Sequence, residues 1–188
     1  MRIGRALLRV IVGVLFVGHG TQKLFGWFGG DGPDGTAGMF EKLGLRPPKA
    51  HAVAAGTAEA LGGAMLAAGL LTPVASTMLS SVMITAIRKV HAQNGVWNTE
   101  RGYEYNAVLL ATLFALTEHG PGPYSVDAAA FPRLRGTGFA IAQLALGFAG
   151  SELATSELVN APKEEIETAP PDITGDGRPA RDRAPVAA

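Results

Sequence analysis

The sequence predicts an all-α protein: a polytopic transmembrane four-helix bundle, then an additional membrane-associated helix and a disordered C-terminal tail. Three observations point there. Apolar runs follow one another along the chain, and the first two meet the roughly 20-residue length that spans a bilayer. Only 17% of the 188 residues are charged, and many of these lie outside the runs. The polar residues inside the runs are few and chemically capable: His19, Gln22 and Lys23, then Glu59, then Arg88 and His91, then Asn106.

The first helix is expected from about Ala6 to Trp27. Its basic start imitates a secretory signal, but His19-Gly20-Thr21-Gln22-Lys23 stands where a small-residue cleavage site would be, so an uncleaved helix is expected. Gly29 to Pro48 is rich in Gly, Asp and Pro, and carries Met39, Phe40 and Leu43 at the spacing of a short amphipathic helix. The second helix runs from about Ala50 to Leu71. Along it Ala52, Gly56, Ala60, Ala64 and Ala68 recur every fourth residue, a small-residue ridge of the kind that lets membrane helices pack closely.

Leu71-Thr72-Pro73 leaves room only for an antiparallel hairpin, and Pro73 suits the first position of a third helix reaching about Ala92. Gln93 to Gly102 holds the turn signal Asn94-Gly95 and an interface anchor, Trp97. A fourth helix, about Glu104 to Glu118, is stopped by Pro121 and Pro123. The third and fourth helices are short for a span and need help from their polar ends. The apolar stretch Thr137 to Gly150 has the length of an interfacial or re-entrant piece; extending it to Val159 means passing Glu152 and Glu157. From Ala161 the chain is Pro-rich, charged and poor in large apolar residues, the composition of a disordered tail. The expected units are therefore a four-helix transmembrane domain over 1–127, a loop and additional helix over 128–160, and the tail over 161–188.

Composition narrows the chemistry. The net charge is zero, so no basic surface argues for nucleic acid. There is no Cys, which excludes disulfides, thiol redox chemistry, Cys-ligated iron–sulfur clusters and covalent haem attachment by this chain. Gly30-Asp31-Gly32-Pro33-Asp34-Gly35 matches GxGxxG in letters only, because it follows a membrane helix rather than a strand and contains a proline.

Alternating helices gather the polar residues. The end of the first helix, the start of the second, the end of the third and the start of the fourth share one side of the bundle. His19, Gln22, Lys23, Arg88, His91 and Asn106 fall in that half, and Glu59 lies near its floor, about 13 Å into the second helix. The opposite half reads as plainly apolar. A carboxylate at such depth is costly and points to a functional site. The candidate catalytic residues are Glu59, His19 and His91; the candidate substrate-binding residues are Lys23, Gln22, Arg88 and Asn106. His19 and Lys23 share a helical face, as do Arg88 and His91 on an α-helix. Structural roles compete with these: Lys23 can snorkel to the interface, and Glu59 can simply pair with Lys23 or Arg88. No metal is expected, since neither HxxxH nor HExxH occurs.

The stretch His19-Gly20-Thr21-Gln22-Lys23-Leu24-Phe25-Gly26-Trp27-Phe28-Gly29-Gly30 resembles the signature that follows the first helix of DoxX-like membrane proteins. Gly56, Glu59, Gly62, Gly63, Gly69, Leu70, Thr72 and Pro73 resemble the family's second-helix pattern. Tyr103-Glu104-Tyr105-Asn106 and Gly120-Pro121-Gly122-Pro123-Tyr124-Ser125-Val126-Asp127 resemble its fourth-helix boundaries. The resemblance covers Arg5 to Asp127. It implies a four-helix protein of the prokaryotic inner membrane, multi-pass. The family name is associated with thiosulfate:quinone oxidoreductase and quinol oxidase subunits, which implies a subunit of a quinone-linked redox system, a quinone as cofactor, and a membrane or peripheral oxidoreductase as partner. The rival reading is a non-catalytic module that carries a proton or small solute, or that docks another enzyme. A purely basic flank on the first helix places the N-terminus in the cytoplasm.

Overall fold

The computed structural model describes residues 2–160, so the tail expected from Ala161 onward lies outside the described residues. Within them all regular structure is helical. α1 spans Arg2–Phe25, α2 Gly32–Lys42, α3 Pro48–Ala68, α4 Thr72–Ala86, α5 Glu104–His119, α6 Val126–Ala130, α7 Thr137–Thr155 and α8 Glu157–Asn160. α2 is the short helix expected around Met39 and Phe40, and it packs on α3 and α1.

The boundaries follow from local chemistry. α3 begins at Pro48, where a missing N–H costs nothing. It ends at Gly69, whose φ of 63° is a left-handed closure that a side chain would resist. The Gly69 and Leu70 N–H groups then satisfy the Leu66 and Met65 carbonyls. α4 starts two residues later and runs without a break into a π-helical turn, Ile87–His91.

Val12, Phe16, Leu66, Ala75, Leu79, Met83, Leu109, Leu113 and Leu116 form the core, drawn from α1, α3, α4 and α5. α1 lies against α3 closely enough to touch backbone. A Cβ at Gly13 would fall 2.5 Å from the Gly63 carbonyl oxygen, and one at Gly63 would fall 2.6 Å from the Gly13 oxygen. The contact continues from Gly20 onto Gly56 and Ala60. Thus the seam on α3 runs through Gly56, Ala60, Gly63 and Ala67, whereas Ala64 and Ala68 are exposed. A strict four-residue row drifts by about 40° per step at 3.6 residues per turn, so the contact must shift to a three-residue step to stay on the neighbour.

α1 from Ile3 to Phe25 is long and apolar enough to cross a membrane. Ile3, Leu7, Ile11 and Val14 lie exposed along one stripe of it, the pattern of a helix that leaves one side for lipid.

The additional helix expected beyond the four is present as the 19-residue α7, which packs on α4 and α5. Glu152 does not oppose this, because it stays half-exposed and pairs with Arg88. One expectation is revised: the half of the bundle holding the α3–α4 turn is not plainly apolar. Asp127 is buried there, and its carboxylate accepts from the Leu71 N–H (2.7 Å), the Thr72 N–H (2.8 Å) and the Thr72 hydroxyl (2.6 Å). It therefore caps α4 from a distant segment. Arg9, equally buried, donates to the Ala67 and Tyr124 carbonyls and faces the charge of Asp127.

Candidate functional site

Close approach of α1 and α3 builds the site. Gly56 lies one turn before Glu59, and a Cβ there would meet Leu24 at 2.8 Å and the Lys23 stem at 3.1 Å. The missing side chain thus lets Lys23 lie along α3. Its Nζ donates to Glu59 Oε2 at 2.6 Å. The Glu59 side chain is 4% exposed and that of Lys23 22%, so the carboxylate is deep and the ammonium reaches outward. Burying such a carboxylate without the ammonium would be strongly unfavourable.

A cavity of about 250 Å³ opens beside this pair. His19, Lys23, Glu59, His91, Tyr105 and Asn106 line it with polar groups, and Phe16, Met83 and Leu109 give it apolar walls. α1 contributes His19 and Lys23, α3 Glu59, the π-helical turn His91, and the first turn of α5 Tyr105 and Asn106. Asn98 and Gly102 close one side from the connection before α5.

Hydrogen bonding assigns roles. His91 Nδ1 lies 2.7 Å from the Arg101 carbonyl oxygen, which can only accept. Nδ1 therefore carries the proton, and a neutral His91 keeps Nε2 as an acceptor. His19 Nδ1 lies 3.1 Å from Gln22 Oε1, so Gln22 orients the ring from one turn along α1. The buried Asn106 donates its amide to Met83 Sδ at 3.4 Å, a weak bond that leaves its carbonyl oxygen available. The cavity thus presents a cation, a carboxylate and ring nitrogens within an apolar wall. That set suits a small planar ligand with oxygen substituents, and can pass protons to it.

Of the residues singled out from sequence, His19, Lys23, Glu59, His91 and Asn106 lie round this one cavity, with Gln22 behind His19. Arg88 lies elsewhere. Its guanidinium turns to α7, bonding Ser151 (3.1 Å), Thr155 (3.2 Å) and Glu152 (3.0 Å) and lying over the Phe148 ring. The shared face expected of Arg88 and His91 assumed α-helical spacing. The wider π turn separates them, sending one side chain to α7 and the other to the cavity. Among the described residues, no three His or acidic side chains converge as a metal site would require. Tyr105, Asn98 and Gly102 complete the lining and are not marked by the polar pattern of the helices. The only sequence signal was the Asn94-Gly95 turn, which implies that the chain folds back without saying onto what.

The DoxX family model matches residues 4–92 of this chain. "Putative oxidoreductase CatD" of Bacillus subtilis is 31% identical over 115 residues, which cover 61% of this chain and 79% of that protein. "Uncharacterized membrane protein Rv3486" of Mycobacterium tuberculosis is 28% identical over 131 residues, covering 64% of this chain and 77% of that one. No solved structure matches significantly. With the family pattern, the CatD similarity and the helical bundle in agreement, the chain belongs to the DoxX family of membrane proteins.

Proposed function

We propose that this protein is a subunit of a quinone-linked membrane redox system and that the Lys23–Glu59 cavity receives the quinone head group. The observation that carries the reading is the buried ion pair opening onto an apolar-walled cavity flanked by two histidines. At about 250 Å³ the cavity is below the roughly 300–1,000 Å³ typical of drug-sized ligands, and fits a single substituted ring. The name of the Bacillus subtilis relative, "Putative oxidoreductase CatD", is consistent with it.

Lys23 would donate to a carbonyl or phenolate oxygen, and His91 Nε2 would accept from a hydroxyl on the ring. Glu59, sharing a short bond with Lys23, would hold or release the exchanged proton, with His19 relaying it outward. A quinone supplies the two-electron chemistry when bound. The chain has no Cys with which to hold a cluster, so an oxidoreductase partner in the membrane or at its surface would exchange the electrons. We place the chain as multi-pass in a prokaryotic inner membrane with the N-terminus cytoplasmic, the side that carries Arg5, Arg133 and Arg135.

Binding of a short-chain quinone analogue to the detergent-solubilised full chain tests the cavity. Glu59→Gln is expected to retain the fold and weaken binding roughly tenfold, because Lys23 loses the carboxylate that holds it at the cavity. Equal binding by wild type and variant would sink the assignment. A cofactor-free protein that instead shifts pH across liposomes would favour transport.

A further inference from the structure

A second cavity, about 380 Å³, lies at the other end of the bundle. Arg5 lines it and Lys23 lines the first, so the two are about 27 Å apart along α1. Its walls come from the start of α1, the Gly120–Pro123 segment and the chain around α6, with Arg5 and Arg135 as its cationic groups. We propose that this cavity binds the phosphate of an anionic bilayer lipid between Arg5 and Arg135.

Both arginines are held at one residue, Gly120. Arg5 Nη1 donates to the His119 carbonyl at 2.6 Å and to the Gly120 carbonyl at 3.2 Å, which fixes its guanidinium and leaves Nε and Nη2. The Arg135 stem lies on the bare Cα of Gly120, where a Cβ would fall 2.9 Å from its Cδ and 3.7 Å from its Nη1. Glycine at this position therefore brings the second guanidinium towards the first.

No acidic side chain among the described residues pairs with either Arg5 or Arg135. Asp127 is the one acid in the lining, and it is 2% exposed with its carboxylate already engaged by Leu71 and Thr72. Nearby Glu118 accepts from the Thr137 hydroxyl and lies 3.6 Å from His119 Nδ1. Two guanidinium groups with no ion-pair partner among the described residues, one already immobilised, form a fork suited to phosphate oxygens.

The surroundings select a lipid over a soluble ion. Arg5 sits at the start of the helix able to cross a membrane, between exposed Ile3 and Leu7, so the cavity lies at head-group level. Phe131 and Leu134 line it, and Phe131 is partly exposed, offering an apolar surface to an acyl chain.

The test uses the full chain, delipidated in a neutral detergent and titrated with phosphatidylglycerol, phosphatidylcholine or inorganic phosphate, with bound lipid read by native mass spectrometry and melting temperature followed in parallel. Phosphatidylglycerol is expected to bind and raise the melting temperature, and phosphatidylcholine to do neither. Arg135 is exposed and its substitution leaves the Arg5 bonds intact. Arg135→Gln should weaken phosphatidylglycerol binding roughly tenfold, while Arg133→Gln, outside the lining, should bind as wild type. Equal binding of the two lipids, or an unaffected Arg135→Gln, overturns the site. Inorganic phosphate reproducing the whole thermal effect overturns the assignment to lipid.

Discussion

Removing the Asp127 carboxylate is the most severe single change that the fold predicts. In Asp127→Ala three donors lose their acceptor: two N–H groups that open α4 and the Thr72 hydroxyl. Loss of a helix cap alone costs about 1 kcal/mol. Each buried donor left unsatisfied costs about 1–3 kcal/mol, and these do not add fully because the α4 start can relax as a unit. Taken together, about 2–4 kcal/mol is the best single estimate for the three stranded donors. At about 2–4 °C per kcal/mol for a chain of this size, the melting temperature should fall by roughly 4–16 °C. Thr72→Val is the control. It removes one hydroxyl bond, about 1 kcal/mol, and keeps the branched shape, so it should lose about 2–4 °C. The assay is the fraction of monodisperse detergent-solubilised protein surviving a temperature series. If Asp127→Ala loses no more than Thr72→Val, the buried cap does not hold this end of the bundle, and the reasoning fails.

Gly63→Ala should lower the melting temperature by several degrees, because its Cβ must displace the Gly13 carbonyl by an overpacking that costs about 1–3 kcal/mol. Gly18→Ala, which meets nothing within 4 Å, should be neutral or slightly stabilising in the same scan. Arg88→Ala should cost about 2–4 °C through the partly exposed contacts with Ser151, Thr155 and Glu152. Binding of the quinone analogue should be unchanged in that variant; a clear loss would place Arg88 in the cavity's chemistry after all.

Helix existence was legible because long apolar runs broken by Pro and Gly have few alternatives in structure. Pro48 and Gly69 bound α3 within a few residues of where composition alone put the ends. The depth of α7 is not legible from sequence, because Glu152 by itself reads as a cost at its own depth. The pairing with Arg88 across α4 removes much of that cost, and a pairing between residues so far apart in sequence leaves no local trace. The role of Asp127, though the residue closes a motif, leaves no local trace for the same reason. Its helix-capping role is usually read from the residue directly before a helix, yet here the cap comes from beyond α5, more than fifty positions away.

The partner of Glu59 shows where spacing stops deciding. Lys23 and Arg88 were both admissible, since topology brings the ends of α1 and of the α4 extension to the same side as Glu59. Two local features separate them. Gly20 on α1 and Gly56 on α3 remove the side chains that would hold those helices apart, so the Lys23 stem reaches the Glu59 carboxylate directly. The π turn at Ile87–His91 turns Arg88 to α7 and leaves His91 at the cavity. Small-residue spacing announced the first feature, though its four-residue row had the wrong pitch to say which glycines touch. Nothing in Ile87-Arg88-Lys89-Val90-His91 announces the second, because a π turn arises where tertiary contacts reward it. Arg88 gains three polar partners on α7 and His91 gains the Arg101 carbonyl, contacts that together outweigh the poorer backbone geometry of the turn. The site is therefore set by packing at two backbone irregularities, and the residue types around it are legible well before their partners are.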